Sequence, residues 1–304
     1  EIKDIPPRQN RFSGEFTINK SDRITHDYNE VLYKTYTLST LEYTDNLSKC
    51  KNTRSLSDLT NKNGLKIKKH LLIRSDALNK IEKADQDVLR KEYHLKRVID
   101  LRCDNEVKNN PDVSMEGVQL ILNPILPSER VGVTKKGNDE EDFRDFIEAI
   151  HTNGADSSVR FMTKVYQEVV SSEFSKKAYQ KFFRILLEYS CGATLWHCSS
   201  GKDRSGFATM ILLYALDFDM KDIVEDYLST NQFYQGNIEH FVKECGEGYR
   251  EVLETIFGVK EEYVEVLLGS IKNIYGSFDA YLEKGLLLTS KDKEKLQSMY
   301  LEER

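Results

Sequence analysis

A single stretch of the chain dictates most of what it can fold into. The apolar run Ala193-Thr-Leu-Trp196 leads into His197-Cys-Ser-Ser-Gly-Lys-Asp-Arg-Ser-Gly206, and the long apolar pattern Phe207 to Leu216 leads out of it. This order predicts a strand, a tight loop and a helix start around one cysteine and one arginine six positions apart. A loop wrapped on a helix N-terminus turns its backbone N–H groups toward a tetrahedral anion. Cys198 is expected at the bottom of that cradle as a thiolate, and Arg204 is expected to close it with its bidentate fork. Gly201, Ser205 and Gly206 complete the pattern. None of the other cysteines, Cys50, Cys103, Cys191 and Cys245, has an arginine at the same spacing. A nucleotide P-loop is excluded, because Gly201-Lys202 is followed by Asp203 rather than Ser or Thr, and its earlier glycine is missing.

The surrounding pattern alternates. Strands are expected at Leu71 to Ser75, Arg97 to Leu101 and Val118 to Leu122. Helical spacing is read in Ile81 to Tyr93, around Phe143 and Ile150, in Phe161 to Val169, and in Phe182 to Leu187. Strands separated by helices imply crossover connections and a central, mainly parallel α/β sheet. Ligands then sit beyond the carboxyl ends of the strands, where Asp100-Leu-Arg102 and Cys198 both fall. The C-terminal third, Lys221 to Arg304, reads as four or five amphipathic helices. Alternating stretches at Phe12 to Ile18 and Val31 to Leu38 predict a β-rich N-terminal extension over residues 1–50, with one catalytic domain over 51–304. The polar segment Gly132 to Ser158 holds three glycines and is expected as a loop beside the site.

Composition removes some classes. A net charge of -6 and a pI near 5.7 argue against a nucleic-acid binder. No apolar stretch reaches the ~18 residues that a membrane-spanning helix needs. There is no Cys-x-x-Cys, so neither a zinc site nor a disulfide framework is expected, and no cofactor or metal is implied. The sequence opens at Glu1 rather than methionine, as after removal of a start residue, signal peptide or tag, and leaves the compartment and oligomeric state open.

As chemistry, the loop fits phosphate-ester hydrolysis. The Cys198 thiolate attacks phosphorus and forms a cysteinyl-phosphate that water hydrolyses. Arg204 and the amides of Ser199, Ser200, Gly201 and Lys202 hold the equatorial oxygens. The Ser205 hydroxyl is expected to donate to the Cys198 sulfur, and His197 to orient the loop from beneath. A leaving oxygen needs a proton. Asp203 is the first choice for that acid, with an aspartate between Asp139 and Asp145 as the alternative. Lys202 reads equally as a contact for a second anionic group or as an exposed loop lysine.

The chain resembles the atypical bacterial tyrosine-phosphatase family whose loop reads His-Cys-x-x-Gly-Lys-Asp-Arg-Thr-Gly. Three further segments are similar in order: Asn52-Thr-Arg-Ser-Leu-Ser-Asp58, Leu71-Leu-Ile-Arg-Ser-Asp-Ala-Leu78, and Val98-Ile-Asp-Leu-Arg-Cys-Asp-Asn-Glu106. Ile274 to Leu282 matches a helix start typical of the family. The resemblance runs from Asn52 to Leu301 and implies a cysteine-phosphatase fold with a four-stranded parallel sheet. It implies Cys198 as nucleophile, Arg204 as phosphate clamp, Asp203 as in-loop acid, and Asp100 and Arg102 beside the pocket. Arg74 and Glu106 are expected to belong to a buried ion-pair network supporting the loop. The implied substrates are phosphotyrosine proteins, with dual-specificity or phosphoinositide activity. A cysteine phytase and a non-catalytic phosphate-binding module are the alternatives. The chain departs from the family at Ser205, where Thr is usual, and at Ser55-Leu-Ser57, where Asp-Leu-Gly-Gly is expected.

Overall fold

The computed structural model describes residues 47, 50–57, 59–128, 147, 148, 151, 152, 155–188 and 191–303. The expected N-terminal extension, with its strands at Phe12 to Ile18 and Val31 to Leu38, lies outside the described residues, apart from Leu47 and Cys50. So do Asp139 to Asp145 and most of the loop from Gly132 to Ser158.

Among the described residues, seven short strands form two sheets. Strands β1 (Arg54–Ser55), β3 (Leu72–Ser75), β4 (Leu95–Asp100), β5 (Gln119–Leu122) and β6 (Ala193–His197) make the main sheet in the order β1-β3-β6-β4-β5. Strands β3, β6, β4 and β5 run parallel, and β1 caps the β3 edge antiparallel. The expected four-stranded parallel sheet is therefore present. In register, His197 lies opposite Ser75 on one side and Asp100 on the other. The carboxyl ends of three neighbouring strands thus arrive together where β6 gives way to the cysteine loop. A second pairing, β2 (Lys66–Ile67) with β7 (Leu301–Glu302), clasps the far end of the chain to its first half. Two-residue strands carry too little alternation to be read from sequence.

The strand side chains divide between two cores. Ile99 and Trp196 face a large cluster with Phe182, Phe207 and Ile211. Ile73, Val98 and Leu195 face a smaller one with Leu47, Cys50 and Leu89. This follows from the period-2 alternation of strand side chains across the sheet. The helices of the described residues that pack around the sheet and the loop include α1 (Lys83–Asp87), α2 (Asp104–Asn109), α3 (Ala155–Ser171), α4 (Glu173–Leu187), α5 (Asp203–Ala215), α6 (Met220–Cys245), α7 (Arg250–Phe257), α8 (Glu261–Tyr275) and α9 (Ser290–Tyr300). Helix α5 is apolar all round, and Phe207 to Leu213 are buried without exception. A helix of that kind belongs inside the protein. Its burial, at ~1.5–3 kcal/mol for each large apolar side chain, fixes the helix that follows the loop. The helix read between Ile81 and Tyr93 is shorter than its pattern, five residues that continue as a wider turn over Val88–Glu92. The C-terminal third is helical as expected.

Candidate active site

The loop from Cys198 to Lys202 is shaped from behind. The Cys198 carbonyl lies 3.1 Å from Nδ1 of His197, and the Ser199 carbonyl accepts from the Ala77 N–H. The Ser200 carbonyl accepts from Asn52 Nδ2 at 2.9 Å and from the Tyr234 hydroxyl at 2.5 Å. The Gly201 carbonyl accepts from Arg74 Nη2 at 2.7 Å. Within a trans peptide, C=O and the next N–H point in opposite directions. Four carbonyls drawn outward therefore turn the N–H groups of Ser199, Ser200, Gly201 and Lys202 to the other side. None of the four makes a backbone hydrogen bond among the described residues. They join the first N–H groups of α5, which a helix cannot satisfy internally. Gly201 is required at its position. Its φ is +67°, and a Cβ there would lie 2.6 Å from the Ser75 carbonyl oxygen.

Cys198 directly follows β6 as a buried free thiol at the start of this loop. Arg204, in the first turn of α5, lays its guanidinium on Glu106, Nη1 to Oε2 at 2.5 Å and Nη2 to Oε1 at 2.8 Å. Glu106 also accepts from the Ser199 hydroxyl at 2.5 Å and from the Cys103 N–H that opens α2. Burial would raise the Glu106 carboxyl, but the Arg204 charge outweighs it and holds it well below the usual carboxylate range.

Beneath the loop lies a closed ionic network. Arg102 contacts both Asp100 (2.7 Å) and Asp112 (2.8 Å), and Nε2 of His197 lies 2.7 Å from Asp112. Burial alone would lower His197; Asp100 and Asp112 overcome it and push the imidazole up to about 9. Asp100, Asp112 and His197 gather potential ligand atoms within 4.8 Å. The Arg102 guanidinium bonded to both carboxylates supplies positive charge there. On the other side, Arg54 and Arg74 share the buried Asp226 of α6, at 3.0 and 2.6 Å. The expected supporting network thus holds for Arg74 and Glu106.

Three expected residues behave in ways the sequence left open or misread. Lys202 is buried, not an exposed loop lysine, and its ammonium donates to the Gly258 carbonyl at 3.0 Å. The Ser205 hydroxyl is buried and makes no hydrogen bond among the described residues, so the expected bond to the Cys198 sulfur is not formed. Asp203 opens α5 and accepts from the Tyr166 hydroxyl at 2.5 Å, with the Lys202 ammonium 3.5 Å from its other oxygen. Burial, then the Asp203 charge, push the Tyr166 phenol well above its ordinary value.

Sequence reasoning missed Asn52, Asp112, Asp226, Tyr166, Tyr227 and Tyr234. One had a visible signal: Asp226 stands on the apolar face of α6, between Ile223 and Thr230 at helical spacing. Asp76 was also passed over. It follows β3, and burial pushes its carboxyl up to about 6.

A parallel sheet whose central strand delivers a cysteine into an amide-walled, arginine-closed turn is the architecture of cysteine-dependent phosphatases. A family model described as the tyrosine phosphatase family matches residues 45–302. The chain belongs to that family, and it is a phosphoric monoester hydrolase. It is 26% identical over 234 residues to the triple specificity protein phosphatase PtpB of Mycobacterium tuberculosis, covering 69% of this chain and 84% of that protein. It is 32% identical over 144 residues to "Putative tyrosine-protein phosphatase H16_A0669" of Cupriavidus necator, 46% of this chain and 50% of that one. The core catalytic domain of the PP-IP phosphatase SIW14 from S. cerevisiae, solved with citrate, is 12% identical over 72% of this chain and 98% of its own, with a TM-score of 0.24. That likeness is too slight to argue from. No helix among the described residues is long and apolar enough to cross a membrane.

Proposed function

We propose that the chain hydrolyses phosphotyrosine in proteins by a two-step displacement at Cys198. The single observation that supports this most is the set of four outward-tied carbonyls, which leaves four N–H groups and Arg204 around the thiol. The Cys198 sulfur forms a bond to phosphorus as the P–O bond to the tyrosyl oxygen breaks, and Asp203 gives its proton to that oxygen. Water then attacks phosphorus, the S–P bond breaks, and Asp203 takes the water proton back as inorganic phosphate leaves. Ser199 to Lys202 supply amide donors to the equatorial oxygens, and Arg204 a charged fork. His197, Asp100 and Arg102 hold the base of the loop.

A phosphoinositide or inositol-phosphate substrate is the second reading; the printed name of the mycobacterial relative, a triple specificity protein phosphatase, extends beyond a single substrate type. Against it, Lys202, the extra cation of the loop, is bonded to Gly258. Phosphate release measured side by side on phosphotyrosine peptides, phosphoinositides and phytate decides between them; phosphopeptide turnover should dominate. Cys198→Ser should abolish hydrolysis of p-nitrophenyl phosphate, and persistent turnover would refute the nucleophile. Asp203→Asn should slow poor leaving groups more than good ones. Equal losses across a leaving-group series would remove Asp203 as the acid.

A further inference from the structure

Asp203 is approached by phenols from helices other than its own. Tyr166 of α3 donates to Oδ1 at 2.5 Å, and the Tyr227 hydroxyl of α6 lies 2.5 Å from that of Tyr166. Tyr263 of α8 stacks on the Tyr166 ring at a centroid distance of 5.1 Å. A phenol has one proton to give. Tyr166 gives its own to Asp203, so the hydrogen between the two phenols comes from Tyr227. The result is a directed chain, Tyr227 to Tyr166 to Asp203. Tyr166 and Tyr227 are both buried, each with 1% of its surface exposed, so bulk water does not replace either bond.

We infer that Tyr166, backed by Tyr227, is a positioning residue for proton transfer at Asp203: it fixes Oδ1 and leaves Oδ2 as the oxygen that carries the transferred proton. This rests on Asp203 being the acid of the proposed mechanism. A hydrogen bond donated to a carboxylate favours its ionised form, the form that receives the proton of water in the second step. The titratable and charged groups that interact with Asp203 are Lys202 and Arg204 of its own loop and helix, Tyr179 of α4, Tyr227 and Tyr234 of α6, Tyr166 and Tyr263. Tyr166 is the phenol bonded directly to the carboxylate.

The test is the pH dependence of kcat/KM with phenyl phosphate, whose poor leaving group needs the acid. Tyr166→Phe removes the hydrogen bond that Oδ1 accepts, and the basic limb should move up by about one pH unit. Tyr227→Phe should move it in the same direction by less. Tyr263→Phe, which retains a ring for the stack, should leave it in place. A limb unmoved in Tyr166→Phe, with activity lowered equally at every pH, means a structural role and overturns the inference. So does an equal shift in Tyr263→Phe. Asp203→Asn separates the two failures. If it abolishes the limb while Tyr166→Phe leaves it unmoved, only the positioning role falls. If the limb survives in Asp203→Asn, the acid is another group, and both readings fall.

Discussion

The Arg204 guanidinium and the Glu106 carboxylate meet as a two-pronged pair, with both bonds at 2.8 Å or less and both side chains largely shielded. In the proposed mechanism Glu106 thereby sets where Arg204 points before any substrate arrives. Replacing it with Gln keeps the shape and removes the charge. Glu106→Gln should lower kcat on the order of 100-fold through a misplaced Arg204, measured with p-nitrophenyl phosphate. An unchanged or improved kcat/KM would mean that Glu106 merely competes with phosphate for Arg204.

His197 should make the protein alkali-sensitive. Its folded value, about 9, lies above the ordinary ~6.5. The stability it contributes is fully present below about 6.5 and is lost as pH rises through about 9. Urea midpoints measured from pH 6 to pH 10 should fall across that window, and fall less in His197→Asn. Parallel curves for the two proteins would contradict the assignment.

Gly201→Ala should cost activity more than fold. The added Cβ meets a β3 carbonyl at 2.6 Å, and φ +67° disfavours an L side chain by ~1–2 kcal/mol before the clash. Turnover should drop at least tenfold while circular dichroism stays native. Wild-type turnover would show that the loop tolerates the displacement.

Asp226→Asn removes the carboxylate that two buried guanidiniums share. Breaking buried pairs of this kind costs ~3–5 kcal/mol. Asp87→Asn, at an exposed pair with Lys91, should leave stability almost unchanged. Denaturant titration of both variants checks the contrast; similar losses would show that the Asp226 cluster is not a stability determinant.

Much of this was legible in the chain itself because local signals agreed. The apolar runs before and after Cys198 read as strand and helix, and the glycine between them matches a left-handed turn. Lys202 was left open between two readings because nothing local reveals that Gly258, 56 positions on, lies beside it. The tyrosines were invisible for the same reason. Tyr166 and Tyr227 stand on helices whose periodicity marks them as ordinary core, and their link to Asp203 exists only once α3 and α6 pack on α5. Ser205 shows the limit of motif reading. The hydroxyl type is right, yet its bond to sulfur is not made in this arrangement.

The loop's backbone would accept either sign of charge if left to itself. Asn52, Arg74 and Tyr234 grip its oxygens from the rear. Were one of those peptide planes to flip, an oxygen would replace a hydrogen on the inner wall, and the ring would begin to repel what it now welcomes. In the proposed site the taste for anions would thus be enforced by side chains at the rear of the loop, and damage there would register as a change of preference in front.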